Sequence, residues 1–141
     1  MIRVAPYKFT EFESFQIQYG PGDSLVNKYD SKTGEYQYID SRDSVIKIHL
    51  HLSKDELLYL HRKAADLGFW DFPSVEMGDT SIKHNGSKPP RYLIQFNYKR
   101  KSKKVLYDAS FDGDPKLKDA NEQVKNEILK VLNEEEAKQS K

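Results

Sequence analysis

Two histidines, His49 and His51, stand two positions apart in a stretch that alternates polar and apolar residues. In a β-strand this spacing projects both imidazoles from the same face, and imidazoles are common ligands of zinc. A zinc site also needs a third protein ligand, which His61, His84 or a carboxylate would have to supply. Neither of those histidines has a spacing that links it to the pair. The histidine pair therefore has two interpretations. It is either the metal site of a metal-assisted hydrolase or part of the solvent-exposed face of a sheet, which also carries Lys47.

The strongest local charge is a basic cluster with no acidic residue beside it. From position 91 to 104 there are six basic residues and no acidic one, whereas the rest of the chain has 17 basic and 22 acidic residues. The cluster consists of Lys99, Arg100, Lys101, Lys103 and Lys104. Such a cluster could contact phosphates, anionic polysaccharide or lipid headgroups. We favour a solvated hairpin tip whose lysines limit edge-to-edge association. Nucleic acid is not expected as a partner, because no exposed aromatic residue is interleaved with these charges.

The sequence lacks the short motifs that are typical of common enzyme classes. It has no Gly-x-Ser-x-Gly elbow, no phosphate-binding glycine loop and no dinucleotide fingerprint. The lack of cysteine excludes disulfides, thiolate metal sites and cysteine nucleophiles. We therefore predict no catalytic residue and no cofactor, and we favour a binding domain over an enzyme.

The histidine pair belongs to the most clearly structured stretch of the chain. Val45 to Leu52 alternates, which predicts a strand with Ile46, Ile48, Leu50 and Leu52 on one face. Ser53 and Glu56 then have the spacing of a capping box, which predicts the start of a helix. We expect that helix to close at Gly68. The aromatic residues that follow, Phe69, Trp70 and Phe72, are expected to fold back onto its last turn.

Similar patterns extend over the remaining chain. A strand is expected from Tyr7 to Tyr19, with a bulge or break between Phe9 and Phe12, followed by a turn at Gly20-Pro21-Gly22-Asp23. Further strands are predicted at Ser24–Tyr29, Glu35–Ile39, Arg91–Tyr98 and Val105–Ala109, with a hairpin tip at Lys99–Lys104. Asp114 and Pro115 begin a final helix, whose apolar stripe is Leu117, Ala120, Val124, Ile128, Val131 and Leu132.

These elements predict an α+β fold. Its antiparallel sheet has about five or six strands, arranged as a meander plus a hairpin, and two helices pack on one face. The predicted core is Phe15, Ile17, Ile48, Leu50, Leu57, Leu60, Ala64, Leu67, Trp70, Ile94, Phe96, Val124 and Ile128.

Length and composition point to one small domain. The 141 residues suffice for a single domain, with an ordered core from about 7 to 133 and a frayed tail over 134–141. The net charge of +1 gives no overall attraction to nucleic acid or membrane. No apolar run is long enough to span a bilayer, and we expect a monomer.

Two segments carry a resemblance to known sequences. The segment "LSKDELLYLHRKAADLGFWDFP", followed by a polar loop, "RYLIQFNY" and a closing helix, resembles small uncharacterised bacterial domain families. The resemblance covers Phe12 to Leu132, and its specific part is the Gly-Phe-Trp-Asp-Phe-Pro ending. Several of these families are exported or lipid-anchored. The resemblance thus favours an envelope or periplasmic location over a cytoplasmic one if Met1 was added for expression. It transfers no catalytic residue.

The sequence therefore favours a non-catalytic binding or interaction domain that acts on a protein or a glycan. The expected contact surface is the wet face of the sheet together with the loop from Ser74 to Pro90, which exceeds the usual connection length. On the sheet this surface comprises Gln16, Gln18, Lys47, His49 and His51. The zinc-assisted hydrolase at His49 and His51 and the anionic-polymer binder at residues 99–104 remain as alternatives.

Overall fold

The computed structural model describes residues 8–21, 25–76, 90–111 and 113–139. Within them the strands are β1 (Phe12–Pro21), β2 (Asn27–Asp30), β3 (Glu35–Ile39), β4 (Val45–His49), β5 (Val75–Glu76), β6 (Pro90–Tyr98) and β7 (Ser102–Asp108). The helices are α1 (Lys54–Asp66) and α2 (Pro115–Gln139), with short 3-10 helices at Phe9–Glu11 and Phe69–Asp71. The predicted positions Tyr7, Gly22, Asp23, Ser24 and His84, and residues 77–89 of the predicted loop, lie outside the described residues.

All strands belong to one open sheet, in the order β4-β3-β2-β1-β6-β7-β5. Six of them pair in antiparallel fashion, which confirms the predicted meander and hairpin. The central pair is β1 and β6, where Ile17 lies opposite Ile94. The two-residue β5 was not predicted, and it adds a parallel pair to β7 at one edge. The α+β prediction is confirmed.

Both helices cover the same face of the sheet, as predicted, and the core lies between them and the strands. Side chains that alternate along β1 and β6, such as Phe15, Ile17, Ile94 and Phe96, are buried on this covered face. Most of the predicted core residues are buried, whereas Ile48, Leu57, Leu67 and Trp70 are only partly buried and pack against its margin.

Tyrosines contribute much more of the core than the sequence analysis expected. Tyr29, Tyr36, Tyr98 and Tyr107 are all at most 4% exposed on the covered face. A buried tyrosine needs a partner for its hydroxyl, and Tyr29 donates to the Leu50 carbonyl over 2.8 Å. Burial is the main reason why the pKa values of the Tyr29 and Tyr36 hydroxyls are raised. These hydroxyls therefore stay protonated and act as donors within the core.

Local signals in the sequence fix both ends of α1. The Ser53 side chain accepts from the Glu56 amide over 3.1 Å, and the Glu56 carboxylate accepts from the Ser53 amide over 2.8 Å. This is the predicted capping box. The helix ends before Gly68, whose φ of +82° lies in the left-handed region that glycine adopts without strain. Phe69 and Phe72 then fold back into the core, as expected.

The second helix begins as predicted but ends later. Asp114 accepts from the Lys116 amide over 3.0 Å, and Pro115 is the first helical residue. The helix continues to Gln139, so residues 134–139, which we expected to fray, are helical. Contacts beyond the apolar stripe hold this end: the Tyr38 hydroxyl donates to Glu136 over 2.7 Å.

Some strand boundaries differ from the predictions. The strand predicted from Val45 to Leu52 ends at His49, because β3 begins at Glu35 and the Leu50 amide instead donates to the Gly34 carbonyl over 2.7 Å. The strand β7 begins at Ser102, so the tip of the last hairpin is limited to residues 99–101. The break expected before Phe12 is a 3-10 turn, followed by a register shift between Phe12 and Ser14.

Candidate functional site

The sheet face opposite the helices, here called the open face, is mostly polar, with Leu93 opposite Leu106 as an apolar pair. It carries two cross-strand rows of polar side chains. Because residues paired across antiparallel strands share a face, the register aligns Gln18, Lys28, Gln37 and Lys47. We call this the lysine row. Two residues along each strand, about 7 Å away, lies the acidic row, in which Gln16 faces Asp30 and Glu35 faces His49.

The eight residues of the two rows line a cavity of about 600 Å³ on the open face. The lysine row carries two ammonium groups, and the acidic row carries two carboxylates. Lys28 and Lys47 are exposed, and within the described part of the chain neither forms an ion pair. The cavity is therefore a dipolar surface whose two ammonium groups are not engaged in ion pairs within the described residues.

Hydrogen bonds hold several of these side chains in place. Gln16 donates from Nε2 to Asp30 Oδ2 over 3.1 Å, which links β1 to β2. Gln37 donates to the Val26 carbonyl over 2.9 Å, so its own carbonyl oxygen is left to accept from a ligand. These contacts make the amides fixed parts of the surface.

The His49 imidazole owes its position to a glycine. Gly34 precedes β3 with a φ of +80°, and a Cβ at this position would lie 2.7 Å from His49 Nε2. The ring therefore packs against bare backbone at the end of the acidic row. The Gly34 carbonyl also accepts from the Leu50 amide. The turn before β3 is therefore linked to the end of β4 both by this hydrogen bond and by the contact with the His49 ring.

Of the contact residues expected from the sequence, Gln16, Gln18, Lys47 and His49 line this cavity, and His51 does not. His51 lies beyond the end of β4, and its carbonyl accepts from Gln139 at the end of α2 over 3.4 Å. The expected side-by-side histidine pair assumed that the strand continued through His51.

Among the described residues, no third ligand for a zinc site accompanies these histidines. No group of three or more His, Asp or Glu side chains converges as metal ligands would in residues 8–21, 25–76, 90–111 and 113–139. His61 is buried in the core, where its Nδ1 lies 2.6 Å from the Tyr98 hydroxyl. The zinc site at His49 and His51 therefore remains a prediction from spacing, for which titration is the test.

The basic cluster at 99–104 divides between different surfaces. Lys103 pairs with Phe96 on the covered face, and its ammonium donates to the Phe72 carbonyl. Lys104 pairs with Gln95 on the open face, and Lys101 lines a second cavity together with Lys32. Lys99 and Arg100 lie exposed at the tip. The five charges thus do not form one continuous patch for a polyanion.

An ion pair and its hydrogen bonds hold the far end of β6 and β7. Arg91 Nε lies 2.8 Å from Asp108 Oδ2, and the Asp108 side chain is only 4% exposed. Burial alone would raise the pKa of this carboxyl. Hydrogen bonds from Ser110 and Arg91 outweigh burial and leave the Asp108 pKa below its usual value. The pair is therefore charged at neutral pH and fixes the hairpin rather than offering a reactive group.

Sequence reasoning missed half of the eight residues in the two rows, namely Lys28, Asp30, Glu35 and Gln37. Their alternation with Tyr29, Tyr36 and Tyr38 was visible in the sequence. Their alignment into rows, however, depends on the turn from Ser31 to Gly34, which sets the register between β2 and β3.

Comparison with known proteins adds no relatives: no protein-family model, no curated protein and no solved structure matches this chain. Among the described residues, neither helix combines the length and the apolar character that a membrane crossing requires.

Proposed function

We propose that this protein is a non-catalytic binding domain that holds a segment of another protein on the open face of its sheet. The observation that carries the proposal is the pair of rows, in which two lysines and two carboxylates lie side by side on one fixed surface. A polypeptide with both acidic and basic side chains matches such a surface, because each row meets the opposite charge.

The composition of the open face favours a protein ligand over a glycan. Sugar rings are commonly bound by stacking on aromatic side chains, which combine an apolar face with a polar edge. The register places every Phe and Tyr of the described strands on the covered face, which leaves the imidazole of His49 as the open face's sole aromatic ring within those strands. Amide and charged side chains make up most of the rest, and these recognise a polypeptide by hydrogen bonds and charge.

Fluorescence anisotropy with short labelled peptides tests the proposal. The probes are an extended peptide with alternating Glu and Lys, and two matched peptides in which only Glu or only Lys carries charge. We expect the mixed-charge peptide to bind with a dissociation constant of about 1–100 μM and the other two to bind more weakly. Lys28→Glu combined with Lys47→Glu should weaken its binding about tenfold or more.

The matched control has the same change of net charge on α2, through Lys116→Glu and Lys130→Glu, and should bind as the parent does. Equal binding of the three peptides, or an equal loss in the control, would contradict the proposal. Displacement of the peptide by chitohexaose would indicate a glycan ligand. Heparin binding with a log–log salt slope of roughly −3 to −4, abolished by Lys101→Glu and Lys104→Glu, would instead support the anionic-polymer alternative.

An envelope location, implied by the resemblance to exported and lipid-anchored domains, is part of this proposal. Fractionation of bacteria that produce the protein from its natural start site tests it. We expect the protein in the periplasmic or membrane fraction, and recovery in the cytoplasmic fraction would contradict this location.

A further inference from the structure

A second cavity on the open face, of about 510 Å³, lies between the β2–β3 turn and the tip of the β6–β7 hairpin. We call it the turn pocket. Ser14, Lys32, Asn97, Lys101 and Ser102 contribute hydrogen-bond donors to its lining, and Glu13 contributes its acidic group. It adjoins the acidic row through Gln16, which lines both cavities, whereas Lys28 and Lys47 of the lysine row do not line it.

A chain of hydrogen bonds leads to the wall of the turn pocket. Gln95 Nε2 donates to Asn97 Oδ1 over 2.7 Å, and Asn97 Nδ2 donates to Ser14 Oγ over 3.1 Å. The Ser14 hydroxyl oxygen therefore accepts from the Asn97 amide. This leaves its hydroxyl hydrogen to donate into the pocket that Ser14 lines. Ser14 is only 4% exposed and stands directly after the register shift in β1. Such irregularities commonly redirect a side chain toward a functional site.

Of the two lysines that line the turn pocket, Lys32 is held in position through contacts of the adjacent Ser31 with β1. Ser31 Oγ accepts from the Phe15 amide over 2.8 Å, and the Ser31 amide donates to the Phe15 carbonyl over 3.0 Å. These two bonds continue the pairing of β1 and β2 into the turn. They bring Lys32 to the pocket, while its amide is fixed by Asp30 Oδ1 over 2.9 Å.

The second lysine comes from a different turn. The Tyr98 amide donates to the Lys101 carbonyl over 2.8 Å, which closes the tip of the β6–β7 hairpin. Ser102, the first residue of β7, lies next to Lys101 and pairs with Asn97. Two lysines from independently anchored turns therefore line one pocket together with Ser14 and Ser102. Against them stands one carboxylate, Glu13, so the lining carries a net charge of +1.

We propose that the turn pocket binds a phosphate group, in the form of a phosphate monoester or inorganic phosphate. Such a group is nearly dianionic at neutral pH and accepts hydrogen bonds on several oxygens. Two ammoniums and the hydroxyls of Ser14 and Ser102 supply donors of that kind. The site is additional to the protein-binding face proposed above.

Titration of the ¹⁵N-labelled protein with inorganic phosphate, followed by NMR at constant ionic strength set with sodium chloride, tests this site. We expect saturable shifts at Ser14, Lys32, Asn97 and Ser102, with a dissociation constant of about 1–10 mM. Lys32→Gln should weaken binding about tenfold. Glu13→Gln should strengthen it several-fold, since it removes the opposing charge.

Lys116→Gln on α2 is the matched control and should leave phosphate binding unchanged. Lys28→Glu with Lys47→Glu should also leave it largely intact, which separates this site from the peptide-binding face. Linear shifts that do not saturate, or an equal loss in Lys32→Gln and Lys116→Gln, would overturn the phosphate site. Sulfate and acetate titrated in parallel report selectivity, and tighter binding of acetate than of phosphate would also overturn it.

Discussion

The Tyr38 hydroxyl donates to Glu136 Oε2 over 2.7 Å, and this bond ties the last turns of α2 to a strand 98 residues earlier in the chain. The Glu136 bond is also the main reason why the pKa of the Tyr38 hydroxyl is raised. The side chains of residues 134–139 continue no apolar stripe, so polar contacts tie this segment to the rest of the fold. The Tyr38 bond is the shorter of two such contacts, the other being the bond from Gln139 to the His51 carbonyl over 3.4 Å.

Tyr38→Phe should therefore fray the end of α2. The substitution keeps the ring and removes one hydrogen bond, which typically contributes about 0.5–1.5 kcal/mol. We expect faster amide hydrogen exchange in residues 134–139 and unchanged exchange around Ile128, measured by mass spectrometry or NMR. Tyr59→Phe, which removes the hydroxyl that donates to Glu127, is the matched control and should leave residues 134–139 unchanged. Equal protection in Tyr38→Phe and the parent would show that the bond does not hold the helix end.

His61 should make the stability of the fold sensitive to pH below neutrality. Burial, and to a lesser degree the charge of Arg62, lowers the pKa of the His61 imidazole. The unfolded chain therefore binds this proton more readily than the folded one. The free energy of unfolding should fall as the pH drops from about 7 to 5, by at most about 1.4 kcal/mol per pH unit for one proton.

Urea unfolding at a series of pH values measures this dependence. His61→Asn should flatten it. The Asp108 carboxyl acts in a separate window, because its lowered pKa adds stability that is lost only at more acidic pH. A pH dependence between 7 and 5 that persists in His61→Asn would refute the assignment to this residue.

Gly34→Ala should destabilise the protein by two separable effects. The positive φ costs a non-glycine residue about 1–2 kcal/mol, and the new Cβ would lie too close to the His49 ring. In a His49→Ala background the clash is removed and only the backbone cost remains. Chemical unfolding of the four proteins should therefore show a smaller effect of Gly34→Ala when His49 is absent. Equal effects in both backgrounds would argue against the close approach.

Charge reversal at the adjacent residues Lys103 and Lys104 of β7 should change the free energy of unfolding by very different amounts. Lys103 lies partly buried on the covered face and donates to the Phe72 carbonyl, whereas Lys104 is exposed on the open face. We expect Lys103→Glu to cost about 1–3 kcal/mol, because the carbonyl loses its donor, and Lys104→Glu to change stability by less than about 0.5 kcal/mol. Thermal unfolding of both variants is the measurement. Similar melting temperatures would contradict the placement of Lys103.

Zinc titration tests the alternative hypothesis of a metal-assisted hydrolase at His49 and His51. Because no third ligand joins His49 among the described residues, we expect no saturable heat at micromolar zinc in calorimetry. Stoichiometric binding that disappears in both His49→Ala and His51→Ala would reverse this expectation and restore the hydrolase hypothesis. The matched control is His61→Asn, which should behave as the parent.

The features that could be predicted from the sequence are those that depend on near neighbours in the chain. The capping box at Ser53, the helix start at Asp114 and the alternation from Tyr92 to Tyr98 each need only a few residues to form. Their physical causes, namely orphan amides and one-sided burial, are local. These signals sufficed for the fold class and for the placement of both helices on one face.

Features that depend on register could not be predicted in the same way. The face occupied by Lys103 follows from its pairing with Phe96, and the lysine row follows from the pairing of Lys28 with Gln37. A shift of one residue would move each of these side chains to the opposite face. The turn pocket is even harder to predict from sequence patterns, because Ser14, Lys32 and Lys101 come from three separate parts of the chain.

The central pairing of β1 with β6 also governs how the chain reaches its fold. Strands β1 to β4 pair with neighbours in sequence, as do β6 and β7, whereas Ile17 and Ile94, 77 positions apart, meet only when these two units join. Closing so large a loop costs entropy before any contact is gained, and folding slows as contacts become less local. We therefore expect assembly of the central strand pair to limit the folding rate, with an unpaired strand edge exposed on each unit until that step is complete.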